Sequence, residues 1–392
     1  MDIRLIDYES TTAAGLNIQA LRQAIASQTS GLRPNDYPGS TLETWVGRIM
    51  DIDAIDLGGW QSRNNALAAL GLQQGTIVSR LQDLIERFSA KRIGVIMGSS
   101  TSSIDRTELA YTDLTEQGTL KPEFQQAKVH NPHAPSLFVA HHTGITGPAM
   151  TINTACSSSA KVFATGARWL SCGIVDAVLV GGVDTLCMSV LHGFDSLQLV
   201  SPDPCKPFDQ NREGINLGEA AGYAILMRAQ DCEQESSFRL SGYGESSDAY
   251  HMSHPHPDGL GAKLAIEQAL AMAELDPQEI DYINLHGTSS RANDLIEGQL
   301  ISSMFPETTQ CSSTKGWMGH TLGAAGITEA LIAVDAIHTG LIPGSMNLSQ
   351  LDEQLDFSIQ TDNVHRELRH VMSNSFGFGG NNCCLVFSKV GV

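Results

Sequence analysis

One cysteine and two histidines carry the first sign of chemistry. Cys156 lies in Asn153-Thr154-Ala155-Cys156-Ser157-Ser158-Ser159-Ala160, directly ahead of a helix-patterned segment, while His286-Gly287-Thr288 and Gly319-His320-Thr321 stand far downstream. A thiol at the first turn of a helix meets the positive end of the helix dipole, which favours thiolate and aims free backbone N–H groups at whatever bonds to the sulfur. Nucleophile activation and an oxyanion site can then share one turn. A free cysteine standing alone is more often a small packing residue; here its company points to a thiol enzyme.

His286 ends the apolar run Tyr282-Ile283-Asn284-Leu285, so it is expected at the carboxyl end of a strand, where open α/β sheets place ligands. Asp294 and Glu297 follow on the expected next helix. Alone, such a histidine is more often a satisfied structural residue. The stretch 313–326 joins Lys315, His320 and the glycines 316, 319, 323 and 326 ahead of an apolar helix, and Glu329 beyond it is placed to pair with Lys315. Its lysine precedes the glycines, unlike a phosphate-cradling loop, where the lysine ends the series. Near the C-terminus, Phe376 and Phe378 sit among glycines in Ser373-Asn374-Ser375-Phe376-Gly377-Phe378-Gly379-Gly380-Asn381-Asn382. That pattern reads either as a mobile aromatic gate presenting an N–H to a pocket or as a glycine-rich turn with core phenylalanines.

The elements that must position these residues read as an α/β alternation. Apolar runs at 92–98, 177–183, 223–227, 282–285 and 383–387 are expected strands, and 160–171, 262–273 and 326–338 expected helices, which implies layered α/β architecture. The proline-rich stretch 199–216 and the histidine-rich stretch 250–261 are expected loops, and a polar segment near 235 divides two α/β halves. With 392 residues and 42% hydrophobic content the chain has the composition of a globular protein. No apolar run is expected to reach membrane-spanning length, the N-terminus lacks a signal-peptide pattern, and a cytoplasmic location is expected. The eight cysteines form no CxxC pair and are expected reduced. With 43 acidic against 24 basic residues, net −19, nucleic acid and anionic membranes are disfavoured as partners.

Together these segments resemble the β-ketoacyl-acyl carrier protein synthases, elongating condensing enzymes of the thiolase-like superfamily, over roughly residues 90–392. The resemblance implies two similar α/β halves in α-β-α-β-α layers, residues 1–235 carrying the nucleophile and 236–392 the histidines. It implies Cys156 as nucleophile, His286 and His320 as catalytic histidines, Lys315 as the active-site lysine, and Phe378 as the gate residue whose N–H completes the oxyanion hole beside Phe376. Asp294, Glu297 and Glu329 are then supporting acids, and Thr101, in the loop Ser99-Ser100-Thr101-Ser102-Ser103, lines an acyl channel at a dimer interface. Two histidines, rather than histidine with asparagine or a second cysteine, resemble the branch that decarboxylates a malonyl thioester. The implied partners are acyl carrier protein, in acyl and malonyl forms, docking near Arg63, and a second copy or a related subunit. No organic cofactor or catalytic metal is implied, although a structural monovalent cation near Asn284, Glu329 and Ser373 is compatible with the resemblance. Departures are Leu5–Thr11 in place of the usual glycine-containing opening strand, Glu213 and Ile215 after the loop arginine, and Asn381 where threonine is usual. They suggest a specialised lipid or polyketide pathway, such as the aryl-polyene type. The alternative reading is a non-catalytic, chain-length-determining partner subunit.

Overall fold

The computed structural model describes residues 2–232 and 236–391. Ten strands form the main sheet: β1 (Ile3–Thr12), β2 (Ile93–Gly98), β3 (Ala149–Ile152), β4 (Ala177–Asp184), β5 (Ala220–Arg228), β6 (Phe238–Ser247), β7 (Tyr282–Asn284), β8 (Gln310–Ser312), β9 (His370–Gly377) and β10 (Asn381–Lys389). Their spatial order is β8-β7-β9-β10-β6-β1-β5-β4-β2-β3. Each group of five therefore has the same order, third-second-fourth-fifth-first, counted toward the join. The senses match as well. The first strand of each group runs antiparallel to the fifth and the fifth to the fourth, while the fourth, second and third are parallel. The join is an antiparallel contact in which Ile3, Arg4 and Leu5 face Leu240, Arg239 and Phe238. The expected division at 235/236 falls at residues 233–235, outside the described residues.

Helices cover and separate these sheets. On the N-terminal group lie α1 (Arg63–Leu72), α2 (Ile77–Phe88) and α3 (Ala134–Thr143), and α4 (Ser158–Ser171) follows β3. On the C-terminal group lie α5 (Leu260–Ala273) and α6 (Arg291–Met304), and α7 (Ala325–Thr339) follows β8. Helices α4 and α7 occupy equivalent places in the two groups, and both touch strands of both groups as well as each other. They form the central layer of a thiolase-like α-β-α-β-α stack. Val162, Phe163, Ala330, Leu331 and Val334 pack there with Val178, Leu226, Leu385 and Phe387 from the sheets.

A helix inside such a layer must be apolar on every side, and α7 is buried from Ala325 to Ile337. This corrects the expectation that no apolar run reaches spanning length, because Leu322–Thr339, 18 residues, is long and apolar enough to cross a membrane. Some 89% of it is buried inside the protein, as suits a core helix. The close approach of α4 and α7 requires glycine at 326, where a Cβ would fall 2.4 Å from the backbone nitrogen of Ala160.

The expected strands and helices coincide with β2, β4, β5, β7, β10, α4, α5 and α7 to within a few residues, and 199–216 is a loop. All eight cysteines are free thiols. Arg63 departs from expectation. Instead of standing exposed for docking it is 6% exposed, with Nε and Nη2 each 2.7 Å from an oxygen of Glu219 and Nη1 paired with Asp53. Glu219 also accepts the N–H groups of Ile49 and Leu186, so this pair fastens α1 to the loops above β5.

Removing one partner of a buried ion pair strands the other charge. Arg63→Ala is expected to lose about 3–5 kcal/mol of stability, read from the shift of the urea unfolding midpoint. A loss below about 1 kcal/mol would contradict this structural role.

Candidate active site

The chemistry-bearing residues sit on loops at the carboxyl ends of parallel strands, and two of them occupy equivalent places in the two groups. Cys156 lies between β3 and α4; Lys315 and His320 lie between β8 and α7; His286 follows β7. The chain reverses sharply ahead of Cys156, with Ala155 held at φ 52°, a left-handed conformation that costs a non-glycine residue of order 1 kcal/mol. The β9–β10 hairpin then approaches this turn. Gly377 makes the approach possible, since a Cβ there would lie 2.9 Å from Thr154 O and 3.2 Å from Cys156 N.

The structure brings Cys156, His286 and His320 together, with Cys156 Sγ and one ring nitrogen of each histidine all within 4.8 Å of one another. His320 Nε2 is 3.0 Å from Cys156 Sγ, and the two imidazoles meet edge to face at 5.5 Å. Both tautomers follow from their neighbours. The Leu322 N–H donates to His320 Nδ1 at 3.2 Å, which places the ring proton on Nε2. Lys315 Nζ lies 3.4 Å from His286 Nδ1 and also donates to the His286 carbonyl. An ammonium offers only hydrogens, so His286 likewise carries its proton on Nε2. Burial first and Lys315 second hold both imidazoles well below the ordinary histidine range. Both effects favour the neutral imidazoles, which donate through Nε2.

Lys315 is itself buried, hydrogen-bonded and ion-paired to Glu329 Oε1, as the spacing suggested. Burial raises the Glu329 carboxyl to about 7, against the attraction of Lys315. Glu297 holds the His286 turn through the N–H groups of His286 and Gly287, each at 2.8 Å, and burial raises it to about 7 as those donors oppose the rise. Asp294 accepts the Phe208 N–H at 2.8 Å and the Ser289 N–H at 3.1 Å, fastening the long loop to the same turn. Burial raises its pKa too.

The expectation of an activated thiolate is corrected. Burial pushes the Cys156 thiol up to about 11, and the opposing influence of Lys315 and of the Phe378 and Cys156 N–H groups does not reverse it. The helix-start position supplied N–H groups directed at the sulfur, but the sequence did not show how deeply the sulfur is buried. Phe378 lies at the tip of the hairpin, its ring 5.6 Å from that of Phe194, and the Phe376 ring is 6.1 Å from that of His286. A cavity of about 380 Å³ opens over Cys156, lined by His286, His320, Phe376 and Phe378 among others.

Thr101 is not among the residues lining that cavity. Its hydroxyl and N–H are engaged at 2.7 and 3.0 Å by Asp184. Sequence reasoning passed over Asp184, although its place at the end of the apolar run 177–183 was a signal. Fully buried, it also accepts Ser99 Oγ, Ser100 Oγ and the Gly323 N–H, and so ties the β2 loop to the His320 loop. Also unforeseen was Leu322, held at φ 56°, whose N–H orients His320.

The cysteine and two histidines form a donor set of the kind that binds zinc. Their surroundings oppose it, because a zinc-bound Nε2 must be bare whereas donors on both Nδ1 atoms place the protons on Nε2. Separately, Asn284 Oδ1, Ser373 Oγ and Glu329 Oε2 are buried oxygens without a hydrogen-bond partner among the described residues, and Asn284 and Ser373 face each other across β7 and β9. Such oxygens suit a hard cation.

A neutral thiol facing two N–H donors between paired five-stranded halves defines a condensing enzyme of the thiolase-like class. The chain matches the N-terminal domain of β-ketoacyl synthases over residues 17–232 and their C-terminal domain over 238–349. It is 33% identical over 402 aligned positions to 3-oxoacyl-[acyl-carrier-protein] synthase 2 of Vibrio harveyi, covering 96% of this chain and 95% of that protein. Nodulation protein E of Rhizobium meliloti is 34% identical over 311 positions, 77% of each chain. Among solved structures, a ketosynthase in complex with its chain length factor from Xenorhabdus doucetiae matches with 37% identity and a TM-score of 0.86, over 99% of this chain and 98% of that one. A β-ketoacyl synthase from Burkholderia phymatum matches with 26% identity and a TM-score of 0.89, over all of both chains. The chain belongs to the β-ketoacyl synthase family.

With its thiol at about 11, Cys156 is expected to react with iodoacetamide at a rate still rising about tenfold per pH unit between pH 8 and 10. Lys315→Met removes the cation that favours thiolate and is expected to slow alkylation at fixed pH. A plateau near pH 8, followed by mass spectrometry of the Cys156 peptide, would show a more acidic thiol.

Proposed function

We propose that the protein catalyses decarboxylative condensation of an acyl group with malonyl-acyl carrier protein, giving a 3-oxoacyl-acyl carrier protein. The observation that carries this reading is the cluster of Cys156 Sγ with one ring nitrogen each of His286 and His320, all within 4.8 Å of one another. In the first stage the Cys156 sulfur attacks the carbonyl of an acyl thioester as its thiol proton is lost; the new C–S bond forms, the bond to the carrier sulfur breaks, and the departing sulfur takes up a proton in place of the one Cys156 gave up. The N–H groups of Cys156 and Phe378 hold the tetrahedral oxyanion. In the second stage malonyl thioester binds with its carbonyl oxygen between His286 and His320. The bond to its carboxylate breaks, carbon dioxide leaves, and the electron pair becomes an enolate held by the two Nε2–H groups. The enolate carbon attacks the acyl carbonyl, a C–C bond forms, and the C–S bond returns its electrons to Cys156.

Neutral imidazoles suit this second stage. An imidazolium would transfer its proton to the enolate and end the reaction as acetyl thioester, whereas a neutral N–H stabilises the charge without surrendering the proton. Lys315, with Glu329, keeps His286 in that state, and Glu297 and Asp294 hold the backbone that carries it. Loss of carbon dioxide drives bond formation, so the reaction calls for no organic cofactor or catalytic metal. A monovalent cation at Asn284, Ser373 and Glu329 would have a structural part. Intact Cys156, His286 and His320 weigh against a non-catalytic partner subunit.

The remaining assignments are ours. Acyl carrier protein delivers both substrates in the cytoplasm. The chain pairs with a second copy or a related subunit, as the Xenorhabdus doucetiae ketosynthase does with its chain length factor, and Thr101 lies beside the acyl channel of that pair. The halves divide at 235/236, with the nucleophile in one and the histidines in the other. Departures at Glu213, Ile215 and Asn381 favour a specialised lipid or polyketide pathway of the aryl-polyene type.

Cys156→Ala is expected to abolish acyl-enzyme formation in intact-mass spectra, and gain of the acyl mass by that variant would move the nucleophile elsewhere. Cys156→Gln is expected to retain malonyl decarboxylation, because the amide can stand in for the acyl thioester while both donors remain. His286→Ala and His320→Ala are each expected to lose malonyl decarboxylation by roughly a hundred- to a thousandfold, the usual effect of deleting one oxyanion donor, while Cys156 remains open to acylation. Undiminished decarboxylation in either variant would refute the enolate role.

A further inference from the structure

A thioester carried on a phosphopantetheine arm brings a phosphodiester as well as an acyl group, and the cavity over Cys156 has one basic group suited to it. Arg291, the first residue of α6, lines that cavity and is exposed, whereas Cys156 is 6% exposed. Its guanidinium makes no hydrogen bond or ion pair among the described residues. Its backbone carbonyl is held separately by Arg212 Nη2 at 3.2 Å, so the place of the residue does not depend on its side chain. The acid that feels it, Asp352, is already paired with Arg212 at 2.6 Å. The neighbouring Arg212 is committed to Asp352 and Asp294.

Two carboxylates share the lining. Asp248 is occupied, taking Asn382 Nδ2 at 2.7 Å and the His256 N–H at 3.0 Å. Glu213 is exposed and has no ion pair among the described residues, and it opposes any anion bound there. In a chain of net charge −19, anions are repelled at long range. A free guanidinium at the opening, able to grip two phosphate oxygens at once, is then the group that can select them.

We infer that Arg291 is a specificity-determining residue that binds the phosphodiester of the phosphopantetheine arm as the thioester descends to Cys156. This rests on the ketosynthase reading. Acyl carrier protein and coenzyme A both present that phosphate, and the carrier is the source we assign; N-acetylcysteamine thioesters lack it.

The test measures condensation by the full-length protein with all three malonyl donors. Arg291→Ala is expected to raise KM about tenfold for the carrier-bound and coenzyme A donors at unchanged kcat, and to leave the N-acetylcysteamine donor unaffected. Arg291→Lys should recover part of the loss. Glu213→Gln should lower KM for the two phosphate-bearing donors. A loss confined to the carrier-bound donor would make Arg291 a contact to the carrier's surface, and an equal loss with all three would make it structural; either result overturns the inference. If the unsubstituted protein condenses none of the donors, the ketosynthase reading fails instead.

Discussion

The active site depends on a single buried cation. Lys315, 1% exposed, is paired with Glu329 and set against the carbonyl and Nδ1 of His286. An ammonium in such a place is tolerable only because a carboxylate and a carbonyl replace its water. Once there, it acts on everything near it. It fixes the tautomer of one histidine, opposes protonation of both, and partly offsets the burial of Cys156. The central layer makes this arrangement possible, because Glu329 projects from α7 while Lys315 lies on the loop that leads into the same helix.

The repeated topology explains how groups so distant in sequence meet. Each five-stranded unit offers its third strand, a loop and a central helix, and these two loops carry Cys156 in one unit and Lys315 with His320 in the other. Contact between α4 and α7 at Ala160 and Gly326 brings those loops together. A bulkier residue at 326 would separate the nucleophile from its partners without altering any of them.

The buried strands, central helices and loop at 199–216 were legible because apolar runs of strand length and apolar helices differ in length and in flanking glycines. Cys156, His286, Lys315 and His320 were legible as residue types at the ends of those runs. What escaped was set by tertiary environment. The charge of Arg63 reads as a surface feature until Glu219, 156 residues away, is placed against it. The thiol of Cys156 reads as activated until its burial is known. Asp184 and the Leu322 N–H act through partners that no local pattern reveals.

Burial also explains why a site with a reluctant thiol suits condensation. At rest the charges set against the two histidines and the thiol are those of Lys315 and the carboxylates that support the loops, and the nucleophile is neutral. Acyl transfer converts an unfavourable buried thiolate into a neutral thioester, so the environment that raises the pKa of Cys156 also favours the acylated state over the free thiolate. Decarboxylation then creates one new anion, the enolate, opposite two neutral N–H donors too weakly acidic to give it their protons. Water would disrupt this sequence at both stages, by hydrolysing the thioester and by protonating the enolate. The Phe376 and Phe378 rings packed at the hairpin, against His286 and Phe194, therefore belong to the same physical design as Lys315. They keep the surroundings dry enough for a single ammonium to govern them.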